Sequence, residues 1–169
     1  MMNKLLRILK HRWLDERDAR RAIGAQALQR IEARVAASEL HHSGEIRVCV
    51  EAGLPLSYLM RDASARERAV ALFGKLGVWD TEHNSGVLIY LLLAERRIEL
   101  VADRGLNQYV DAAQWQQITD AMGAAFKQGQ FEAGLNQAVD AVDALLRQHF
   151  AIGARARNPN DLPDAPIVF

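Results

Sequence analysis

The stretch "GVLIYLLLA", residues 86–94, decides the fold because it is the longest apolar run in the chain. Its nine residues are too few to span a bilayer, which takes roughly 18 to 20 apolar residues. A run that is apolar on both faces is typical of a strand at the centre of a sheet, with helices covering each side. The sequence therefore predicts an α/β protein built around this strand.

Two further strands can be placed from the residues on either side of this run. Alternating apolar residues at 46–50 predict an earlier strand, and helical spacing over 62–76 predicts a helix between the two. A crossover through a helix makes the two strands parallel. The short connection "ERR", residues 95–97, predicts a hairpin into an antiparallel third strand at 98–102. A helix over 15–40 comes first and two more helices follow, so a small mixed sheet lies between helical layers.

Composition excludes several classes of function. The chain has 21 basic and 21 acidic residues, so no overall positive field attracts nucleic acid. Aromatic residues do not interleave with Lys and Arg in the pattern that stacks bases. Cys49 is the only cysteine, which excludes an intramolecular disulfide and a thiolate zinc cluster. These features favour a reducing compartment, and we expect the cytoplasm.

The two ends of the chain differ from the middle, so the sequence predicts three parts: residues 1–14, 15–153 and 154–169. The first, "MMNKLLRILKHRWL", alternates apolar and basic residues at helical spacing. This pattern predicts either a membrane-surface helix or a helix docked on the body or on a partner. The last holds three of the four prolines and is predicted to be extended, with residues 167–169 covering an apolar patch.

Polar residues converge at one edge of the predicted sheet. Parallel strands begin at the same edge, and an antiparallel third strand ends there, which brings together Glu45, Asn84 and Asp103. Asp80 lies in the loop before Asn84 and completes a candidate ligand set. Carboxylate and amide oxygens suit Ca²⁺ or Mg²⁺. The alternative is structural, because Asn and Asp are typical residues of turns at strand ends.

The histidines near this edge do not suggest a zinc site. His41 and His42 are adjacent, so at a helix end their side chains diverge by about 100° and do not readily share one ion. His83 lies in the loop before the central strand and could approach the edge. No spacing typical of a histidine-rich zinc site occurs.

The order of the motifs resembles a known family. The stretches "SGEIRVCVE", "AVALFGKLGVWDTEHNSGVLIYLLLAERRIELVADRGL" and "FKQGQFEAGLNQAVDAVDALL" are similar to the TPM domain family over roughly residues 22–150. That family includes a chloroplast lumen protein of photosystem repair, an acetylcholine-receptor modulator and many bacterial proteins often encoded near LemA-type proteins. The resemblance implies a Rossmann-like α/β/α sandwich, which agrees with the topology derived above.

The resemblance also implies a range of functions. Some members are described as acid phosphatases and some as binding calcium, and Glu45, Asn84 and Asp103 match the family's polar edge. Arg104 stands where a common relative has tyrosine, and the added cation favours an anionic ligand. Many bacterial relatives carry a signal peptide and a membrane anchor. This chain shows neither, so it resembles a short cytoplasmic branch of the family.

Three hypotheses of function follow from these patterns. The first is an accessory domain that binds Ca²⁺ or Mg²⁺ and acts with a membrane-associated, LemA-like partner at the inner membrane. The second is a metal-dependent or acid phosphatase, for which Thr81 and Ser85 are the candidate nucleophiles and His83 the candidate base. The third is a pure protein-interaction module, in which the basic amphipathic N-terminus and the tail carry the function.

Overall fold

The apolar run forms the centre of the sheet. In a computed structural model that describes residues 4–153 and 156–169, it becomes strand β2, Gly86–Leu92, and all of its seven residues are buried. Strand β1, Glu45–Glu51, pairs with it in parallel. Strand β3, Arg97–Ala102, pairs with β2 on the other side in antiparallel fashion. The predicted parallel pair and hairpin are therefore confirmed.

A fourth strand comes from the C-terminal tail. Strand β4, Ile167–Val168, pairs in parallel with β1, which gives the strand order β3-β2-β1-β4. Sequence periodicity indicated only an extended tail, because two residues are too few to show alternation. The strand ties the end of the chain to the middle of the sheet. Residues 154 and 155, where the predicted tail begins, lie outside the described residues.

The helices of the described chain cover both faces of the sheet. In chain order they are α1 (Lys4–Arg12), α2 (Glu16–Ile23), α3 (Ala25–Glu39), α4 (Leu56–Met60), α5 (Ala65–Lys75), α6 (Arg104–Asn107), α7 (Ala112–Lys127) and α8 (Phe131–Phe150). A single 3₁₀ turn, Leu93–Glu95, connects β2 to β3. The predicted helix over 15–40 is divided at Gly24, whose φ of +88° is readily adopted only by glycine.

Alternation along β1 divides the core into two layers. Ile46, Val48 and Val50 face α3, α7 and α8 and belong to the larger apolar cluster. Cys49 faces the opposite layer and packs with residues of α4 and α5, including Leu72. The sheet is buried on both faces, which confirms the predicted α/β/α sandwich. None of the helices in the described ranges is both long and apolar enough to cross a membrane.

Candidate functional site

The amino-terminal edge of the sheet brings together two of the carboxylates predicted there. Glu45 lies opposite Gly86 in the β1–β2 register, and the backbone N–H of Asp103 donates to the Gly86 carbonyl at 2.9 Å. The two acids thus lie in one row with Gly86 between them, roughly 10 Å apart at the usual strand spacing. A Cβ at Gly86 would lie 1.9 Å from the carbonyl oxygen of Val78. The Val78 backbone therefore lies over the centre of the row.

Glu45 is the most deeply buried of the predicted ligands. It is fully buried, and its Oε2 accepts from the backbone N–H of Leu162 at 3.1 Å. Its Oε1 is also buried and has no hydrogen-bond partner among the described residues. Burial raises the pKa of Glu45 above its ordinary value. The backbone N–H of Asp161 and the side chain of Asn158 oppose this shift of the pKa, but Oε1 itself is withdrawn from water without a hydrogen bond, which is unfavourable.

Helix α3 and the C-terminal tail each add an acidic residue beside Glu45. Glu39, at the end of α3, is buried and accepts from the backbone N–H of Ile46 at 2.8 Å. Burial raises the pKa of Glu39 to about 9, and the charges of Glu45 and Asp164 add to the shift. The amide nitrogen of Asn160, in the orientation that satisfies its contacts, donates to Glu39 Oε2 at 3.3 Å and to Asp164 Oδ1 at 3.1 Å. Three carboxyl groups, those of Glu39, Glu45 and Asp164, thus lie close together where the tail meets the body.

A cavity opens beside this group. Its volume is about 470 Å³, and its polar lining includes Glu39, Asn158, Asn160 and Asp164. Asn158 also anchors the tail, since its side-chain amide donates to the carbonyl of Gly44 at 3.1 Å. Glu39 and Asp164 therefore border a cavity open to solvent, whereas Glu45 lies behind them and is not part of its lining.

At the other half of the edge, Asn84 and Asp103 form hydrogen bonds with Arg104. Asn84 Oδ1 accepts from Nε and Nη2 of Arg104, both at 3.0 Å. Asp103 Oδ1 accepts from the backbone N–H of Arg104 at 2.7 Å and begins α6. Asp103 Oδ2 is buried and lacks a hydrogen-bond partner in the described part of the chain. Asp80 is exposed in the turn that follows α5.

The four predicted ligands therefore do not form one compact set. Glu45 lies under the tail, Asp103 and Asn84 contact Arg104, and Asp80 is exposed. In residues 4–153 and 156–169, no group of three or more His, Cys, Asp or Glu side chains is already arranged to hold a metal ion. The two buried carboxylates among them, Glu45 and Asp103, nevertheless each keep one oxygen without a hydrogen bond in the described part of the chain. The metal assignment of these four residues and the anion assignment of Arg104 stay predictions.

Sequence analysis overlooked one buried polar network near this edge. His42 is fully buried, and its Nε2 lies 2.8 Å from Ser38 Oγ while its Nδ1 lies 3.1 Å from the Gly44 carbonyl. Ser38 Oγ also contacts Asp143 Oδ1 at 2.6 Å. Burial lowers the pKa of His42. The spacing of four residues between Ser38 and His42 was the available signal, but adjacency to His41 suggested an exposed helix end. Ser38 and His42 are buried, and Asp143 is partly buried and paired with Arg147, so the network joins α3 to α8 and is structural.

A second buried polar group joins β1 to α5. Glu51 accepts from Arg68 Nη2 at 2.7 Å and from the hydroxyl of Tyr90 at 2.7 Å. Burial and the Glu51 charge raise the pKa of Tyr90. Arg68 and Tyr90 together satisfy a carboxylate that would otherwise be costly to bury. This group lies at the opposite end of β1 from Glu45.

These features define a class of protein: an α/β/α sandwich whose sheet edge carries acidic residues closed over by the C-terminal tail. The sequence model of the TPM domain matches residues 17–145. The chain therefore belongs to the TPM domain family, as its motifs predicted. No curated protein matches the sequence significantly.

Solved structures of similar fold support the assignment. The solution structure of the BA42 protein from the psychrophilic bacterium Bizionia argentinensis has a TM-score of 0.73 and 26% sequence identity, and the match covers 85% of this chain and 93% of that one. The amino-terminal domain of a P. gingivalis protein has a TM-score of 0.61 and 22% identity, with 77% of this chain and 82% of that one covered. The second resemblance concerns the fold alone.

Proposed function

We propose that this TPM domain binds a divalent cation at the amino-terminal edge of its sheet and acts as an accessory domain for a membrane-associated partner. The observation that supports cation binding is the unpaired oxygen of Glu45, which is fully buried beside other acidic residues. A carboxylate oxygen in that position is neutralised either by a proton or by a cation.

The chemistry of the surrounding groups fits a hard cation. Glu39 and Asp164 supply carboxylates next to Glu45. The amide nitrogen of Asn160 now faces Glu39 and Asp164, and rotation of this side chain would present its amide oxygen to a cation instead. Ca²⁺ accepts six to eight such oxygens in flexible geometry, and Mg²⁺ is commonly held by one or two carboxylates with water completing its shell. A bound cation supplies positive charge that relieves the repulsion among these acids.

Proton release accompanies binding in this proposal. Because the pKa of Glu39 is about 9, this carboxyl keeps its proton at neutral pH in the absence of a cation. A cation near Glu45 favours the ionised form of both acids, so affinity rises with pH. Asp103, Asn84 and Asp80 remain predicted ligands, and Asp103 is included in the test because it also keeps one buried oxygen unpaired.

Calorimetric titration with calcium and magnesium tests the cation site. We expect Glu45→Gln to weaken binding by at least about tenfold, since it removes a charged ligand without changing the shape of the side chain. Asp164→Asn should weaken it as well if the tail closes the site. A larger loss in Asp103→Asn than in Asp164→Asn would support the ligand set predicted from sequence. Asp120→Asn, an exposed acid on α7, is the matched control.

The titration also has an outcome that excludes the proposal. If wild type and Glu45→Gln bind calcium and magnesium equally, the carboxylate edge is structural and holds the tail in place. The partner is tested separately. Inner-membrane vesicles with the cytoplasmic face outward and containing a LemA-like protein are sedimented with the chain, with and without calcium. That part of the proposal, including the location at the inner membrane, rests on the family resemblance.

The phosphatase alternative receives less support from the contacts of its candidate nucleophiles. Thr81 Oγ1 accepts from the backbone N–H of Ser85 at 3.0 Å, and Ser85 Oγ contacts the carbonyl of Ser43 at 3.3 Å. Both hydroxyl residues are buried and act within the turn before β2. Phosphate release from a generic ester, compared between wild type and Thr81→Val, tests this alternative directly.

The interaction-module alternative is favoured by a different observation. An exposed row of apolar side chains lies on α1, at the other end of the molecule from Glu45. This surface is compatible with a cation-binding domain, because the two features share no residues.

A further inference from the structure

Helix α1 packs on the body through its polar face. Arg7 donates to Glu95 Oε1 at 2.9 Å, to Asp62 Oδ1 at 2.9 Å and to the carbonyl of Ala63 at 2.7 Å. His11 is 2% exposed and its Nδ1 accepts from the backbone N–H of Leu54 at 2.9 Å. Its Nε2 therefore carries the proton and donates to Glu95 at 3.1 Å. These charged and hydrogen-bonded groups hold the helix in place together with Ile8, which packs against the smaller apolar cluster.

The contact at the end of α1 is close. A Cβ at Gly53 would lie 2.5 Å from the backbone oxygen of His11, so only glycine allows the helix to approach β1 this closely. The hydrogen bonds from Arg7 and His11 hold the pKa of Glu95 at about 2, with the His11 contact contributing most. The orientation of α1 is thus set by several independent contacts.

The apolar face of α1 points outward as a result. Leu6, Leu9 and Trp13 are 58%, 55% and 84% exposed, and Leu5 is 67% exposed. Positions 5, 9 and 13 follow one another at four-residue intervals, so they form a row on one side of the helix. An amphipathic helix of a globular protein ordinarily turns this side toward the core. Here the reverse arrangement leaves a continuous apolar row in water.

Helix α4 lies beside α1, because Lys4 Nζ donates to the Met60 carbonyl at 2.7 Å. Its own side chains of Met60 and Leu56 are 59% and 49% exposed. The apolar residues Leu5, Leu6, Leu9 and Trp13 together form what we call the α1 ridge.

Cations lie along both sides of the α1 ridge. On a helical projection, Lys10 falls beyond Leu6 on one side and Arg12 falls beyond Leu5 on the other. Both are exposed, and neither forms an ion pair within the described residues. The sequence of α1 contains no Asp or Glu. An apolar row with a basic border is the pattern of a helix that lies in the plane of an anionic membrane surface.

We propose that the α1 ridge is a docking surface for an anionic lipid membrane. The apolar side chains would enter the boundary between headgroups and acyl chains, where the ring of Trp13 is favoured. Lys10 and Arg12 would lie at the level of the lipid phosphates. The salt bridges beneath the helix keep the ridge facing outward before binding, so little conformational ordering is needed on contact.

The basic border favours lipid over a second copy of the chain. A two-fold interface would bring the same surface of each copy together, with Lys10 and Arg12 of one near the cations of the other. An anionic bilayer instead supplies the complementary charge. This inference does not rest on the proposed cation site, since α1 contacts Gly53 and Leu54 beyond the end of β1, whereas Glu45 is its first residue.

Vesicle co-sedimentation of the full chain tests the proposal. Vesicles of phosphatidylcholine with about 30% phosphatidylserine are compared with phosphatidylcholine alone. We expect wild type to bind the anionic vesicles at least about tenfold more tightly than the neutral ones, and the difference to shrink as salt is raised. Adding anionic vesicles should shift the tryptophan emission to shorter wavelength. Trp13→Phe should keep binding and lose most of that shift.

Substitutions on exposed side chains separate the two contributions. Leu6→Ser combined with Trp13→Ser should lower binding at least about tenfold by removing apolar surface. Lys10→Gln combined with Arg12→Gln should abolish the preference for anionic vesicles. Leu40→Ser is the matched control, because Leu40 is 73% exposed but lies at the end of α3. Circular dichroism of each variant verifies that the fold is retained.

Three results would overturn the proposal. Wild type that does not bind anionic vesicles would exclude a lipid site, as would binding that the Leu6/Trp13 double variant leaves unchanged. Dimerisation of wild type that this same variant abolishes would assign the ridge to a second copy of the chain. Because Glu45 and Asp103 are intact in all these variants, calcium titration shows whether the cation site fails separately.

Discussion

Replacing Glu39 by glutamine should stabilise the protein, and the gain should increase with pH. Burial, assisted by the charges of Glu45 and Asp164, raises the pKa of this carboxyl from 4.5 to about 9. The unfolded chain releases the proton near 4.5, whereas the native state keeps it. Wild-type stability is therefore complete below the lower pKa and falls as pH rises toward the higher one. Glutamine does not titrate and avoids this loss.

The size of the gain follows from the width of that pH window. Each pH unit within it costs wild type about 1.4 kcal/mol, so at about pH 7 the upper limit is about 3 kcal/mol. The glutamine amide oxygen can still accept from the backbone N–H of Ile46. Asn160, however, must turn its own amide to meet the new NH₂ group, at a cost of about 1 kcal/mol. We therefore expect Glu39→Gln to raise the free energy of unfolding by about 2 kcal/mol at about pH 7.

Urea unfolding followed by circular dichroism at about pH 5 and about pH 8 measures this effect. Divalent cations are removed with a chelator, because a cation beside Glu45 would itself favour the ionised form of Glu39. The difference between variant and wild type should be at least about 2 kcal/mol larger at the higher pH. Glu32→Gln, an exposed position on the same helix, should show no such change. Parallel pH dependence of Glu39→Gln and wild type would refute the reasoning.

Two further predictions concern the packing of the sheet edge and of α1. Gly86→Ala should destabilise the protein by about 3 kcal/mol, since its Cβ would lie 1.9 Å from the backbone oxygen of Val78. Gly74→Ala, a helix position with open space around it, should instead stabilise by about 0.5 to 1 kcal/mol in the same thermal or urea experiment. Glu95→Gln should remove one contribution to acid sensitivity: the pKa of Glu95 is about 2, so the stability it contributes is present above pH 4.5 and is lost as pH falls toward 2. Acid titration of helix content at about pH 5 and 2.5 measures this, and equal loss in variant and wild type would contradict the role given to its bond with His11.

The local pattern of apolar and polar residues was sufficient to predict most of the fold. The apolar run at 86–94 needs cover on both faces. Of the two connections between the three predicted strands, only the one before this run is long enough for a crossover, so the parallel pair and the hairpin follow from chain order. Strand β4 could not be predicted, because two residues show no periodicity and its pairing with β1 depends on where the tail returns. The same return decides what surrounds Glu45.

The candidate site was predictable in part. Chain topology places Glu45 and Asp103 at one edge, which the register of the three strands bears out. It does not reveal that the Val78 carbonyl lies over Gly86 between them. Nor does it reveal that the backbone N–H meeting Glu45 belongs to Leu162, which is 117 residues away in the chain. Contacts over such separations depend on packing, for which a single sequence carries no periodic signal.

Helix α1 shows most clearly what the sequence determines and what only the tertiary structure determines. Sequence alone predicted a basic amphipathic helix within residues 1–14, because the spacing of leucines and cations is a local property of the chain. It did not determine which face turns inward. That choice depends on Glu95, a partly buried anion on the body whose charge is neutralised only if Arg7 and His11 face it. The contacts with that carboxylate fix which side of the helix faces the body, so the tertiary structure leaves the leucines on the other side exposed to water.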